Sequence, residues 1–171
     1  DSSTAPPSAG IVHLGPGAFF RAFIAPYTDE AMGADGATGA DWGIIAVSLR
    51  SPTAREALVP QGCLYTALER GPHGDTLRQV EAITDVLVAP EDPLAVLDTM
   101  ARPEIRVVSL TITEKGYCHN PRNGSLWTEH PDVAHDIATS DAPRTALGFL
   151  VLALSRRREA DIPPFTVLCC D

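Results

Sequence analysis

The sequence predicts an α/β fold: a doubly wound, mostly parallel sheet with helices on both faces and an inserted hairpin. Three observations carry this. The runs "GIVHL", "WGIIAVSL", "IRVVSLTIT" and "FTVLCC" are largely apolar, as strands covered on both faces are. Segments with helical periodicity alternate with them, which favours parallel pairing through crossovers. Gly and Pro clusters punctuate the joins. With 171 residues, 44% of them hydrophobic and 20% charged, the chain can form one domain with a substantial core.

Taken in order, residues 1–10 ("DSSTAPPSAG") read as a flexible leader, because they have neither the basic start nor the apolar stretch of a signal peptide. The folded domain is expected over 11–171. Residues 10–14 form the first strand. Residues 18–32 place Phe19, Phe20, Phe23, Ile24 and Tyr27 at helical spacing, with Pro26 expected to kink or crowd the helix. Residues 33–41 are a glycine loop and 42–49 a buried strand. A helix over 51–58 has Ser51 as its expected cap and Pro52 in its first turn. Residues 63–70 and 76–89 form two strands joined across "GPHGD". A short helix spans 90–101, a strand 105–113, a short helix 130–138, a strong helix 143–159 and a last strand 165–170.

Charge and cysteine usage exclude some functions. The net charge of −9 leaves too few cations for nucleic-acid binding. The one basic cluster, "SRRRE", closes a helix, where the helix dipole favours it. No apolar stretch is long enough to span a membrane. Cys63, Cys118, Cys169 and Cys170 form no CxxC pair, so a reduced, cytoplasmic protein is expected. Cys118, His119, His130 and His135 match no zinc spacing, and no metal is expected.

In doubly wound sheets, ligands bind beyond the carboxyl ends of the strands. Here those exits are residues 15–21, 49–52, 89–91, 112–117 and 170–171. Gly15-Pro16-Gly17 offers a tight turn and close backbone approach for a phosphate before a helix N-terminus. The third glycine of G-x-G-x-x-G is replaced by Phe20, so the pattern alone fits either a nucleotide turn or a plain connection. The second exit has no Asp or Glu for ribose hydroxyls. Arg50 and Ser51 stand there, either as an exposed cation beside a helix cap or as contacts for the 2′-phosphate of NADP. Thr113, Glu114 and Lys115 follow the strongest strand, a polar switch found at sites and at ordinary turns alike.

The ordered set "IVHLGPGAFFRAF", "WGIIAVSLRS", "LYTALER", "VLVAPEDP", "VVSLTITEKGYC", "HPDVAHDIA", "PRTALGFLVLAL" and "PFTVLCCD" resembles the long-chain mannitol dehydrogenase and fructuronate reductase family of polyol dehydrogenases. The family's G-x-G-x-F-x-R motif is matched by Gly15, Gly17, Phe19 and Arg21. Phe23 stands where a His is common.

The resemblance implies a Rossmann-type coenzyme domain. Its full protein would transfer a hydride between NAD, with NADP possible, and a polyol or hexuronate. It also implies a largely helical C-terminal domain, absent here, that carries a catalytic Lys. No catalytic residue is therefore expected within these residues. Gly15, Pro16, Gly17, Ala18, Phe19, Phe20, Arg21, Arg50, Ser51, Thr113 and Glu114 become coenzyme-binding candidates. Glu114, Lys115 and Asp171 become candidates on the substrate side. Two other readings stay open from the residues themselves: a non-catalytic nucleotide-binding or interaction module, and another Rossmann-type enzyme such as a methyltransferase.

Overall fold

A computed structural model describes residues 7–139 and 141–171. Its centre is a five-stranded sheet of β1 (Ala9–Leu14), β2 (Gly43–Ser48), β5 (Ile83–Val88), β6 (Val107–Leu110) and β7 (Thr166–Cys169). The strands lie in the order β5-β2-β1-β6-β7 and every adjacent pair is parallel. The chain winds outward from β1 through β2 to β5. It then crosses back to β6 on the other side of β1, so the sheet reverses direction between β1 and β6.

Alternating strand residues feed two cores, one on each face. Val12, Leu14, Val47, Val108 and Leu110 pack against Val96, Leu97 and Met100 of α3 (Pro93–Ala101) and Phe149 and Ala153 of α6 (Ala146–Glu159). On the other face, Ile44, Ala46, Ile83 and Val86 pack with Phe20, Ala25 and Leu58. Hydrophobic cover on both sides of β1, β2, β5 and β6 makes the sheet's interior dry, which stabilises parallel strands. β7, expected to be covered on both faces, is instead an edge strand exposed along its length.

The second of these faces is built by α1 (Ala25–Asp35) and α2 (Thr53–Leu58). A π-helical turn, Phe20–Ile24, leads into α1 and absorbs Pro26. The Ala25 N–H reaches back to the Phe20 carbonyl, and Pro26 has no N–H to give. The Arg21 carbonyl therefore receives no helical donor. The Tyr65 hydroxyl donates to it instead at 2.7 Å. Burial pushes the Tyr65 phenol up to about 12.

Several sequence expectations are corrected. Residues 76–89 are not one strand. They split into β4 (Gly74–Val80), antiparallel to β3 (Tyr65–Gly71) in a separate hairpin, and β5 in the main sheet. The break at Glu81-Ala82 lets the chain change partners: the Glu81 N–H bonds the Asp29 carboxylate, and the Ala82 carbonyl accepts from Ile44. The 33–41 loop is shorter than expected, because α1 continues through Gly33 to Asp35. Ser51 does not cap α2, since its hydroxyl faces Thr53 Oγ1 at 3.2 Å while Pro52 occupies the cap position. The long helix starts at Ala146, capped by Thr145, and Pro143 lies outside it. The leader expectation falls mostly on residues 1–6, outside the described residues. Its last residues belong to the fold: Ser8 bonds Ala40 and Gly43 through its backbone, and Ala9 and Gly10 are in β1.

α4 (Thr113–Gly116) and α5 (Pro131–Ala138) complete the elements. The basic helix end holds a buried guanidinium. Arg157 is 2% exposed, and its N–H groups donate to the carbonyls of Pro163 at 2.7 Å, Met100 at 3.1 Å and Arg102 at 2.7 Å. Two of these carbonyls lie at the α3 C-terminus, where the helix dipole favours a cation. The same side chain thus ties α6, α3 and the approach to β7 together. Arg157→Met keeps the apolar stem and strips three carbonyls of their donor. It should lower unfolding stability by about 3 kcal/mol in urea titrations; a loss below about 1 kcal/mol would contradict this role.

Candidate functional site

The reversal between β1 and β6 opens a cleft of about 430 Å³ at the carboxyl ends of β1, β2 and β6. Gly15, Pro16, Gly17 and Arg21 line it from the first exit, Ser48, Leu49, Arg50, Ser51 and Thr53 from the second, and Thr111, Ile112 and Thr113 from β6. Three exits foreseen as binding positions thus meet in one place. The exit at Ala89 and Pro90 lines a separate cavity of about 390 Å³.

The two glycines of the turn serve different ends. Gly15 has φ +94°, and a Cβ there would sit 2.5 Å from the Thr111 carbonyl oxygen. The fold itself requires it. A Cβ on Gly17 would meet nothing nearer than the Gly15 oxygen at 3.9 Å, so packing does not explain its bare backbone. What the missing side chain leaves open is the floor of the cleft. Pro16 presets the backbone angle for a three-residue turn in which the Gly17 N–H donates to the Gly15 carbonyl at 2.7 Å.

Helical structure begins at Ala18, and the Arg21 N–H donates to the Gly17 carbonyl at 3.2 Å. The N–H groups of Ala18 and Phe19, both exposed, precede the helical ladder at the helix start, the arrangement that receives anions. None of Ala18, Phe19 and Phe20 lines the cleft, and Ala18 borders a neighbouring cavity with Tyr27 and Tyr65. Phe20 is fully buried and Phe19 is 53% exposed.

Beneath the turn lies a histidine that the sequence reading did not single out. His13, fully buried, faces Ser109 and Thr111 across the β1–β6 pairing. Its Nδ1 lies 2.8 Å from Ser109 Oγ and its Nε2 2.9 Å from Thr111 Oγ1, and its ring stacks on Phe20 at 3.8 Å. Burial pulls the imidazole down to about 4, against opposing effects of the Gly15 backbone and the Asp171 carboxylate. The available signal was a polar residue within "GIVHL" opposite Ser109 and Thr111, two residues apart and so on one strand face.

Asp171 is engaged structurally. One carboxylate oxygen accepts from the Thr113 N–H at 2.9 Å, and the other from the Tyr117 hydroxyl. Thr113 adopts φ +64°, and the Asp171 contact holds that strained start of α4. Burial and this bond raise the Tyr117 phenol. Glu114 and Lys115 are exposed and do not line the cleft, whose lining holds no carboxylate, imidazole or amine. Arg50 and Ser51 do line it, with no acidic side chain beside them in that lining. Among the described residues there is no group of His, Cys, Asp or Glu arranged to hold a metal, and no helix long and apolar enough to cross a membrane.

Comparison with known proteins agrees with this fold. Residues 9–171 match the family described as the mannitol dehydrogenase Rossmann domain. A mannitol 2-dehydrogenase from Pyricularia oryzae is 45% identical over 166 residues, spanning 95% of this chain and 33% of that protein. An uncharacterized oxidoreductase, YeiQ, from Escherichia coli is 46% identical over 163 residues, with shares of 94% and 33%. The solved ternary complex of Pseudomonas fluorescens mannitol 2-dehydrogenase with NAD and D-mannitol superposes with a TM-score of 0.90 at 43% identity, covering 98% of this chain and 34% of that one. A substrate-free D-sorbitol dehydrogenase gives 0.90 at 39% identity, with shares of 97% and 34%. The chain spans about a third of the length of these relatives.

Two outcomes follow. Gly15→Ala should cost at least about 2 kcal/mol of stability, whereas Gly17→Ala should cost less than about 1 kcal/mol, both read from urea unfolding. For His13, the unfolded imidazole protonates below 6.5 while the folded one stays neutral down to about 4. The unfolded chain therefore binds more protons in that window, and stability falls as pH drops through it. Between pH 7.5 and 4.5 the wild type should lose about 2–3 kcal/mol more than His13→Gln; equal losses would show that the imidazole is not held neutral.

Proposed function

The chain belongs to the mannitol dehydrogenase Rossmann-domain family, and from that premise we propose that it is the coenzyme-binding part of a longer NAD-dependent oxidoreductase. The full protein would interconvert a polyol or hexuronate and its keto form. The observation that carries this is the cleft: a glycine that packing does not demand, beside unladdered amides, at the point where the sheet reverses. A dinucleotide fits this set. Its pyrophosphate would lie over Gly17 and accept from the amides of Ala18 and Phe19, with Arg21 beside it. The adenosine ribose would face Ser48, Arg50 and Ser51, and the nicotinamide would lie toward Thr111 and Thr113. When bound, the nicotinamide supplies the hydride chemistry.

The protein's own residues here bind and orient. A carbinol oxidation also needs a base to take the hydroxyl proton. The cleft lining has none, and Asp171 is occupied by Thr113 and Tyr117. We assign the base to the remaining two-thirds of the full protein, as the relatives' greater length allows. Phe19, Phe23 and Tyr27 form an exposed ladder of rings 5.1 and 6.4 Å apart, on the helix that carries Arg21 into the cleft. The absent domain would seat against that apolar face. Four free cysteines fit a reducing, cytoplasmic setting, and the net charge of −9 argues against a nucleic-acid partner.

NADH titration followed by fluorescence tests the reading. The wild type should bind, and Gly17→Val should lose binding while remaining folded. With mannitol and alkaline pH, the 171-residue chain should bind NAD and reduce none of it. The guanidinium of Arg50 suits a 2′-phosphate, so NADPH should be tolerated, bound no worse than about a hundredfold below NADH (about 2.7 kcal/mol). Arg50→Asp should weaken NADPH selectively. Absence of NADH binding, or unchanged binding by folded Gly17→Val, would contradict the assignment. Tighter binding of S-adenosylmethionine than of NADH would favour a methyltransferase.

A further inference from the structure

Resting on the coenzyme reading, we propose that His13 is a positioning residue for the phosphate turn, acting through a single tautomer that Thr111 selects and Ser109 completes. It does not line the cleft itself but contacts Thr111, which does. The proton positions follow from distances. Thr111 Oγ1 donates to the Gly15 carbonyl at 2.7 Å, and a hydroxyl has only one hydrogen to give. At the 2.9 Å contact with Thr111 Oγ1, His13 Nε2 must then be the donor. A neutral imidazole carries one N–H, so Nδ1 is the acceptor and Ser109 donates to it across 2.8 Å. The relay runs one way: Ser109 to His13, His13 to Thr111, Thr111 to the Gly15 carbonyl.

That carbonyl also holds the Gly17 N–H, at 2.7 Å. The relay thus ends on the atom that orients the turn and, beyond it, the amides of the helix start. In the opposite tautomer Nε2 would accept, Thr111 would turn its hydrogen to the histidine, and the Gly15 carbonyl would lose one of its two donors. Phe20, stacked on the ring, keeps the imidazole plane from rotating out of this arrangement. Asp171 is the charged group whose field reaches His13, and it favours protonation against the burial that opposes it.

Ser109 discriminates this role from simple packing, because it is buried and one residue pair removed from the cleft. The test combines NADH titration with nitrogen-15 NMR of the His13 ring. In the wild type, Nε2 should show the protonated-type shift and Nδ1 the unprotonated type. Ser109→Ala should leave His13 Nδ1 without its donor and weaken NADH binding about fivefold or more, the equivalent of one lost hydrogen bond, with the thermal unfolding curve still cooperative. Thr111→Val should mix the two tautomers and weaken binding similarly, and Thr111→Ser should restore both the single tautomer and the affinity. A wild-type ring protonated at Nδ1, or Ser109→Ala binding NADH as well as wild type does, would overturn the proposal. Failure of the wild type to bind NADH would instead overturn the coenzyme reading, and the ring shifts would still decide the tautomer.

Discussion

The site depends on one acceptor, the carbonyl oxygen of Gly15. It takes hydrogen bonds from the Thr111 hydroxyl and from the Gly17 amide, and so joins the end of β1 to the exit of β6 and to the first turn of the following helix. The close approach of the two strand ends leaves no room for a side chain on Gly15. Because the sheet reverses between β1 and β6, this junction is also the place where two connections diverge and a cleft must open. The constraint that closes the backbone on one side is what exposes free amides on the other.

The two cores fix this junction from both faces. On one, the α3 and α6 helices are tied by Arg157 and cover Val12, Leu14 and Leu110. On the other, Phe20 covers His13, and the π-helical turn lets the helix pass Pro26 without leaving the sheet. Tyr65, reaching from the hairpin to the Arg21 carbonyl, repairs the bond that Pro26 removes. The hairpin thereby supports the same helix start that borders the cleft. Asp171 does comparable work at the other border, holding Thr113 in its left-handed conformation.

Much of this was legible in the sequence, for physical reasons. Strands buried on both faces are largely apolar, so β1, β2 and β6 stand out, and Gly-Pro-Gly after the first of them marks the turn; β7 is as apolar but lies exposed at the sheet edge. Family resemblance explained Phe20 in place of a third glycine. The break at Glu81-Ala82 was not legible, because a continuous β-prone run gives no sign that its pairing partner changes. The structural use of Asp171 depends on a contact 58 residues away. His13 was passed over since a lone polar residue in an apolar strand has meaning only once Ser109 and Thr111 are known to face it. Ser51 carried a cap signal that Pro52, sitting in the cap position itself, displaced.

We propose that the exposed amides at the helix start receive the coenzyme's pyrophosphate over Gly17. The most direct measurement is a nitrogen-15 amide spectrum of the 171-residue chain titrated with NADH. The amide signals of Ala18 and Phe19 should shift most, with Gly17 and Arg50 moving alongside them. Saturable binding whose largest shifts fall elsewhere, for example around Ala89 and Pro90, would contradict it.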